Sequence, residues 1–363
     1  MGKPALLIAV AVLSVLLLFF LPVDSFNGNH HSTEKSADSQ SSSIVLDIFE
    51  KNEKKYLAVD EVEKKLGLHS RYKPEEGVLT LSDGSLTLRM LRGAPVVSRN
   101  GIYLPVDGKP LFRGEDLYIP LKVLEEGLGK RVEIRNGQAM IAKKRGSIET
   151  SSQSVAAASY QKIEVDELVR VLSFLDRPIS GATVSIQDSH LPGAPRDYRN
   201  GVHEGLDYYS GTSTIQVDTK TPVVASADGV VVRADHNYRE LSVKERNQLL
   251  RVAARHEGQT PAYILDKLRG RSVWVQHEKG ILTRYAHLSQ VSDHIQLGDR
   301  VKKGQLLGYV GNSGTRSGAE GTLEGLHLHF DILIRDHWFW GKYTEDERRD
   351  ILRKVLDEIS IED

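Results

Sequence analysis

Hydrophobic and polar positions change rhythm repeatedly along this chain of 363 residues. Residues 5–21 are apolar except for Ser14, a length between the core of a secretory signal and a full spanning helix, which needs about 20 apolar residues. Val23, Asp24 and Ser25 come next, and cleavage after Ser25 fits them. Residues 1–25 are therefore expected to be a signal peptide or a membrane anchor, and either one exports the rest of the chain. Residues 26–43 hold almost nothing apolar, so they are expected to form a disordered tether. His30 and His31 in it read as a solvated pair with no role.

From 44 to 143 the rhythm becomes that of short β runs. Asp83-Gly84, Asn100-Gly101, Asp107-Gly108 and Asn136-Gly137 punctuate them as hairpin turn signals. Helical spacing interrupts the runs at 59–66 and 121–128, the second closed by Gly129. A small α+β module is expected. Its single imidazole, His69, suggests no metal chemistry, and a spacer or wall-binding unit is the reading. Residues 144–161, rich in Ser and Ala, read as a linker.

The last unit, 162–363, opens with helical spacing over 162–175 and continues as short β-branched runs, which predict a mainly β domain built on an antiparallel sheet. Two helical stretches, 241–256 and 261–268, interrupt it as an insertion over 241–270. A shorter insertion, 315–324, is expected to line a groove. Residues 344–358 read as an amphipathic helix with acidic residues early and basic ones later, as the helix dipole favours.

Composition excludes more than it assigns. Lys and Arg number 48 against 49 Asp and Glu, so no net field points to nucleic acid. There is no Cys, which rules out disulfides, thiolate-bound zinc and thiol nucleophiles. The 13 His are the informative residues. His327 and His329 lie two apart in a strand-like run, so both imidazoles face one side while Leu328, Phe330 and Ile332 face the other. His203 and Asp207 lie four apart, on one side in either a helix or a strand. Gly205 between them would leave space for a metal. Tyr285 and His287 share a face in another strand. His277 reads as a turn or supporting residue, while His190, His236, His256, His294 and His337 have no partner spacing. Three His or Asp ligands with a fourth position left for water make a catalytic zinc site, and this set supplies them with two His to spare, so a hydrolase is the first expectation.

The order of these segments is itself informative. His203 to Asp207, Pro222-Val-Val-Ala-Ser-Ala-Asp-Gly-Val-Val231, Tyr285-Ala-His-Leu288, Val301-Lys-Lys-Gly-Gln-Leu-Leu-Gly308 and Gly325-Leu-His-Leu-His-Phe330 succeed one another over 200–334. In this order they resemble the lysostaphin-type, or LytM-type, zinc metallopeptidases that cut peptide bonds of bacterial peptidoglycan. Tyr118-Ile-Pro-Leu-Lys-Val-Leu-Glu-Glu-Gly-Leu-Gly129 resembles the module at the N-terminus of some copper amine oxidases and of many exported wall proteins. The first resemblance implies one Zn²⁺ per chain on His203, Asp207 and His329. It implies His327 as the base and His287 as the stabiliser of the oxyanion, in roles that spacing alone leaves interchangeable, with Tyr285 or Asp331 as possible support. It further implies peptidoglycan stem or cross-bridge peptides as partners, an extracytoplasmic place at membrane or wall, and work in growth, division or spore-wall remodelling. The alternatives are a catalytically silent scaffold that regulates other wall enzymes, and a zinc peptidase acting on proteins. A biotinyl or lipoyl carrier, whose hairpin 301–308 resembles, lacks its lysine turn here.

Overall fold

The computed structural model describes residues 43–142, 162–257 and 259–358. The expected signal or anchor and nearly all of the tether and linker lie outside these residues. Among the described residues no helix is long and apolar enough to cross a membrane.

Turn chemistry organises residues 43–142. Asn100 and Asn136 take left-handed φ values of 51° before their glycines, as hairpins with two φ-positive positions require. One six-stranded sheet runs in the order Val132–Arg135, Gln138–Ala142, Ser43–Lys51, Lys54–Ala58, Asp116–Pro120 and Leu111–Arg113. A five-stranded meander runs from His69–Lys73 to Ile102–Leu104. Leu46, Leu57, Leu79, Leu88, Ile119 and Leu124 meet in the core between them. The helix Val59–Leu66 matches its expected span, and Gly67 closes it at φ 67°. The helix expected at 121–128 forms mostly as a π-turn, Val123–Gly127. A Cβ on Gly127 would lie 3.0 Å from Leu88, so the widened turn lets its backbone approach the sheet.

The β-rich part is built on one antiparallel sheet in the order Leu206–Tyr209, His327–Ile334, Ile281–Ala286, Val273–Gln276, Gly229–Ala234 and Arg300–Val301. Leu328, Phe330 and Ile332 enter the main core on one face, beside Val273, Val275 and Tyr285. The other face carries the imidazoles. Helices Val165–Leu172 and Glu345–Leu356 pack on the core side through Leu168, Leu172, Ile351 and Leu352. The first is shorter than the expected 162–175, starting after Glu164 and ending at Ser173. The last begins at a capping box formed by Thr344 and Glu347. The insertion folds as Val243–Arg255 and Ala262–Leu268, the former capped by Ser242 and Glu245.

His277 shows what burial does to an imidazole away from the cleft. Its Nδ1–H donates to the Asp228 carbonyl at 2.8 Å, which leaves Nε2 to accept from Thr283 Oγ1 at 2.7 Å. Burial, opposed by Asp228, pushes its pKa below the usual histidine range. The unfolded chain therefore takes up this proton first as pH falls through about 6.5, and the folded chain loses stability from there down to the lower folded pKa. The thermal midpoint should drop on acidification across that window, and it should drop less in His277→Asn. Equal slopes for the two proteins would show that His277 does not contribute.

Candidate metal centre

Strand pairing brings the separated motifs together. Leu206–Tyr209 runs antiparallel to His327–Ile334 with Asp207 opposite His329 and Tyr209 opposite His327. On the far side Ala286 lies opposite His329 and Arg284 opposite Asp331, so the chain leaving Ala286 delivers His287 to the same place. His287 has φ 60°, a left-handed conformation that costs a non-glycine residue about 1–2 kcal/mol. Two bonds hold it there. Its backbone N–H donates to the Arg269 carbonyl at 2.9 Å, and its Nδ1–H donates to the Ser313 carbonyl at 2.7 Å.

Three atoms converge at the centre. His203 Nε2 lies 3.0 Å from His329 Nδ1 and 3.0 Å from Asp207 Oδ1, and His329 Nδ1 lies 2.9 Å from that oxygen. With zinc–ligand bonds near 2.0–2.1 Å, tetrahedral donors stand about 3.3 Å apart, so this triangle needs only slight opening. All three residues are buried, and together they form a cluster suited to a metal ion. The outer nitrogens are also engaged: His203 Nδ1 donates to the Leu191 carbonyl at 2.9 Å, and His329 Nε2–H donates to Asp331 Oδ1 at 2.9 Å. Metal-binding histidines commonly use their second nitrogen in this way, because the bond fixes tautomer and ring orientation. The donor set fits zinc.

Charge is concentrated here. Burial works against the Asp207 carboxylate, but His203 and His327 outweigh it and hold its pKa well below the usual range. Burial likewise opposes charge on His329, yet Asp331 and Asp207 raise it to about 9. Asp331 is held below its ordinary value despite burial, chiefly by Arg269. Arg269 Nε donates to Asp331 Oδ2 at 2.9 Å.

His327 and His287 complete the cleft. His327 Nδ1–H donates to the Gly325 carbonyl at 2.7 Å, and its Nε2 faces Asp207 Oδ1 at 3.8 Å. Burial lowers the pKa of His327, and burial with His327 and His329 beside it lowers that of His287 further. In both neutral rings the carbonyl partner accepts from Nδ1–H and so keeps the proton there, which leaves the lone pair on Nε2. Tyr209 stacks on His327 at 4.2 Å and 12°.

All five site residues expected from sequence thus line one cleft, with Arg246, Leu268 and Arg269 of the insertion and Thr315 beyond it in the wall. Gly205 differs from expectation. A Cβ there would lie 2.4 Å from the Phe330 carbonyl and 2.7 Å from Asp331 Oδ1, so Gly205 makes room for the neighbouring strand rather than for a metal. Gly205→Ala should cost about 1–3 kcal/mol, read as a lower urea midpoint; an unchanged midpoint would contradict the close approach. Tyr285, buried in the core, donates no support to the site: its hydroxyl accepts from the Ser226 N–H at 2.8 Å. Arg196, whose Nη2 lies 3.8 Å from Asp207 Oδ2, and Arg269 carry no signal in the sequence that marks them for the site. Tyr209 does carry one, since it alternates with Asp207 along one strand.

Known proteins resemble both parts of the described chain. Residues 202–339 match peptidase family M23, and residues 41–142 match the copper amine oxidase N-terminal domain. Peptidoglycan DD-endopeptidase ShyC of Vibrio cholerae is 25% identical over 162 residues, 45% of this chain and 27% of that protein. ShyA of the same organism, also named a peptidoglycan DD-endopeptidase, is 28% identical over 142 residues, 39% of this chain and 22% of that one. The chain thus spans about a quarter of the length of these relatives. A solved zinc-containing peptidase from Vibrio cholerae aligns with TM-score 0.29 and 21% identity over 46% of this chain and 38% of that one.

Proposed function

Because residues 202–339 match peptidase family M23, we propose that the chain is a zinc metallo-endopeptidase that hydrolyses peptide bonds of bacterial cell-wall peptidoglycan. One observation carries the reading: three buried donor atoms stand 2.9–3.0 Å apart, with both outer imidazole nitrogens already bonded. The curated relatives, named peptidoglycan endopeptidases, support the substrate. Export through residues 1–25 belongs to the same proposal, with the enzyme held at the membrane or released to the wall.

His203, Asp207 and His329 would hold the zinc. Bound there, the ion supplies a Lewis acid that polarises the scissile carbonyl and lowers the pKa of water toward neutrality. His327 offers its Nε2 lone pair to the water proton, and the nearby Asp207 carboxylate favours the imidazolium that results. The same nitrogen then returns the proton to the leaving amine. His287 stands beside His327 in the same cleft, ring centroids 4.7 Å apart, with its Nδ1–H held by the Ser313 carbonyl; a solvent proton taken up on Nε2 as negative charge develops on the nearby oxygen lets it donate to that oxygen. Tyr209 and the Gly325 carbonyl keep the His327 ring in one plane throughout. An intact set of five residues argues against the silent scaffold.

Chelation tests the assignment. Full-length protein stripped by a chelator should lose peptide hydrolysis and regain it with zinc; activity that survives complete removal of metal would contradict it.

A further inference from the structure

His327, His329, Asp331 and Leu333 alternate onto one face of their strand. Past Asp331 that face leaves the cleft and enters a second apolar cluster. There Leu333, Leu282 and Trp274 pack against Leu91, Val96 and Tyr103 from residues 43–142. Between cleft and cluster lies a cross-strand row, since Trp274 pairs with Arg284 and Arg284 with Asp331.

Arg284 is only 5% exposed. Its guanidinium lies 4.0 Å from the Trp274 ring, Nη1 is 3.9 Å from Asp331 Oδ2, and Nη2 donates to the Tyr103 hydroxyl at 3.4 Å. Tyr103 is itself fixed. Its backbone N–H donates to Gln276 Oε1 at 2.8 Å, and its ring meets Trp274 edge-on at 5.4 Å. A buried chain therefore runs from Tyr103 through Arg284 and Asp331 to His329.

We propose that residues 43–142 support the metal centre through Tyr103, which shuts Arg284 away from water and so helps Asp331 hold His329 in its metal-binding orientation. The inference rests on the reading of His203, Asp207 and His329 as a zinc site. Its physical basis is dielectric: a guanidinium in a dry aromatic box acts on a carboxylate about 4 Å away far more strongly than one in water, and partners of a metal-ligating histidine commonly set metal affinity by 10–100-fold. Tyr103 and Arg284 are positioning residues, since neither reaches the cleft.

The test uses full-length protein and zinc alone, with a chromophoric chelator as competitor. Tyr103→Ala, which admits water to Arg284, should raise the zinc Kd about tenfold. Tyr103→Phe, which keeps the cover, should stay close to the parent. Arg284→Lys keeps the charge but cannot span Tyr103 and Asp331 as the planar fork does, and it too should weaken zinc binding. A role confined to packing would lower the melting temperature of Tyr103→Ala and leave its Kd at the parent value; that result, with an unchanged Arg284→Lys, overturns the proposal. A parent chain that takes up no zinc overturns the metal reading itself, which separates the two failures.

Discussion

Replacing His329 with alanine should empty the metal site and lower peptide hydrolysis by at least about 10³-fold, because a Lewis acid and an activated water together supply several kcal/mol of transition-state stabilisation. His329 is the residue on which the whole arrangement turns. One of its nitrogens meets His203 and Asp207 within 3.0 Å, and the other is bonded to Asp331. Alanine removes a ligand and leaves two buried carboxylates without the imidazole between them. Zinc content by atomic absorption and hydrolysis by release of free amines should fall together. His203→Ala removes a second donor without disturbing Asp331 directly, and it should give the same pair of losses. A His329→Ala protein that keeps both metal and activity would remove His329 from the ligand set.

His327→Ala and His287→Ala should behave differently from the ligand variants. Each should lower kcat by about 10²–10⁴-fold, the usual contribution of positioned proton transfer or oxyanion stabilisation, while zinc content stays at the parent level. The geometry explains the separation. His327 Nε2 stands 3.8 Å from Asp207 Oδ1, farther than the 2.9–3.0 Å that joins the three donors, and His287 is tied to Ser313 rather than to any of them. Metal analysis beside steady-state kinetics on the two variants decides the matter. Loss of zinc in either would turn that imidazole into a ligand and require another group as base or stabiliser.

Much of the site is legible in the sequence because strands have a period of two. His327 and His329 share a face in the sequence and in the structure, and the apolar alternation of Leu328, Phe330 and Ile332 identifies the opposite face as core. Three of the hairpin dipeptides, Asp83-Gly84, Asn100-Gly101 and Asn136-Gly137, turn the chain between paired strands, whereas Asp107-Gly108 joins Ile102–Leu104 to Leu111–Arg113, strands of two different sheets. Local pattern is weaker where tertiary contact decides the backbone. The expected helix at 121–128 opens into a π-turn against Leu88, and Gly205 answers to the approach of Phe330 and Asp331 rather than to a metal. Least legible are the long-range partners. Arg269 lies 62 positions from Asp331 in sequence and Tyr103 lies 181 from Arg284, and no periodicity within a segment could pair them. Asp331 stands between the two cases: its alternation with His329 makes support possible, and the two arginines make it specific.

The proposal that His203, Asp207 and His329 hold a zinc ion that cuts the peptides of peptidoglycan is decided by mass spectrometry of purified peptidoglycan incubated with the zinc-loaded full-length chain. New peptide fragments bearing paired free amino and carboxyl termini are expected, absent from a parallel digest with His329→Ala. Peptidoglycan recovered intact from a chain that holds its zinc would contradict it.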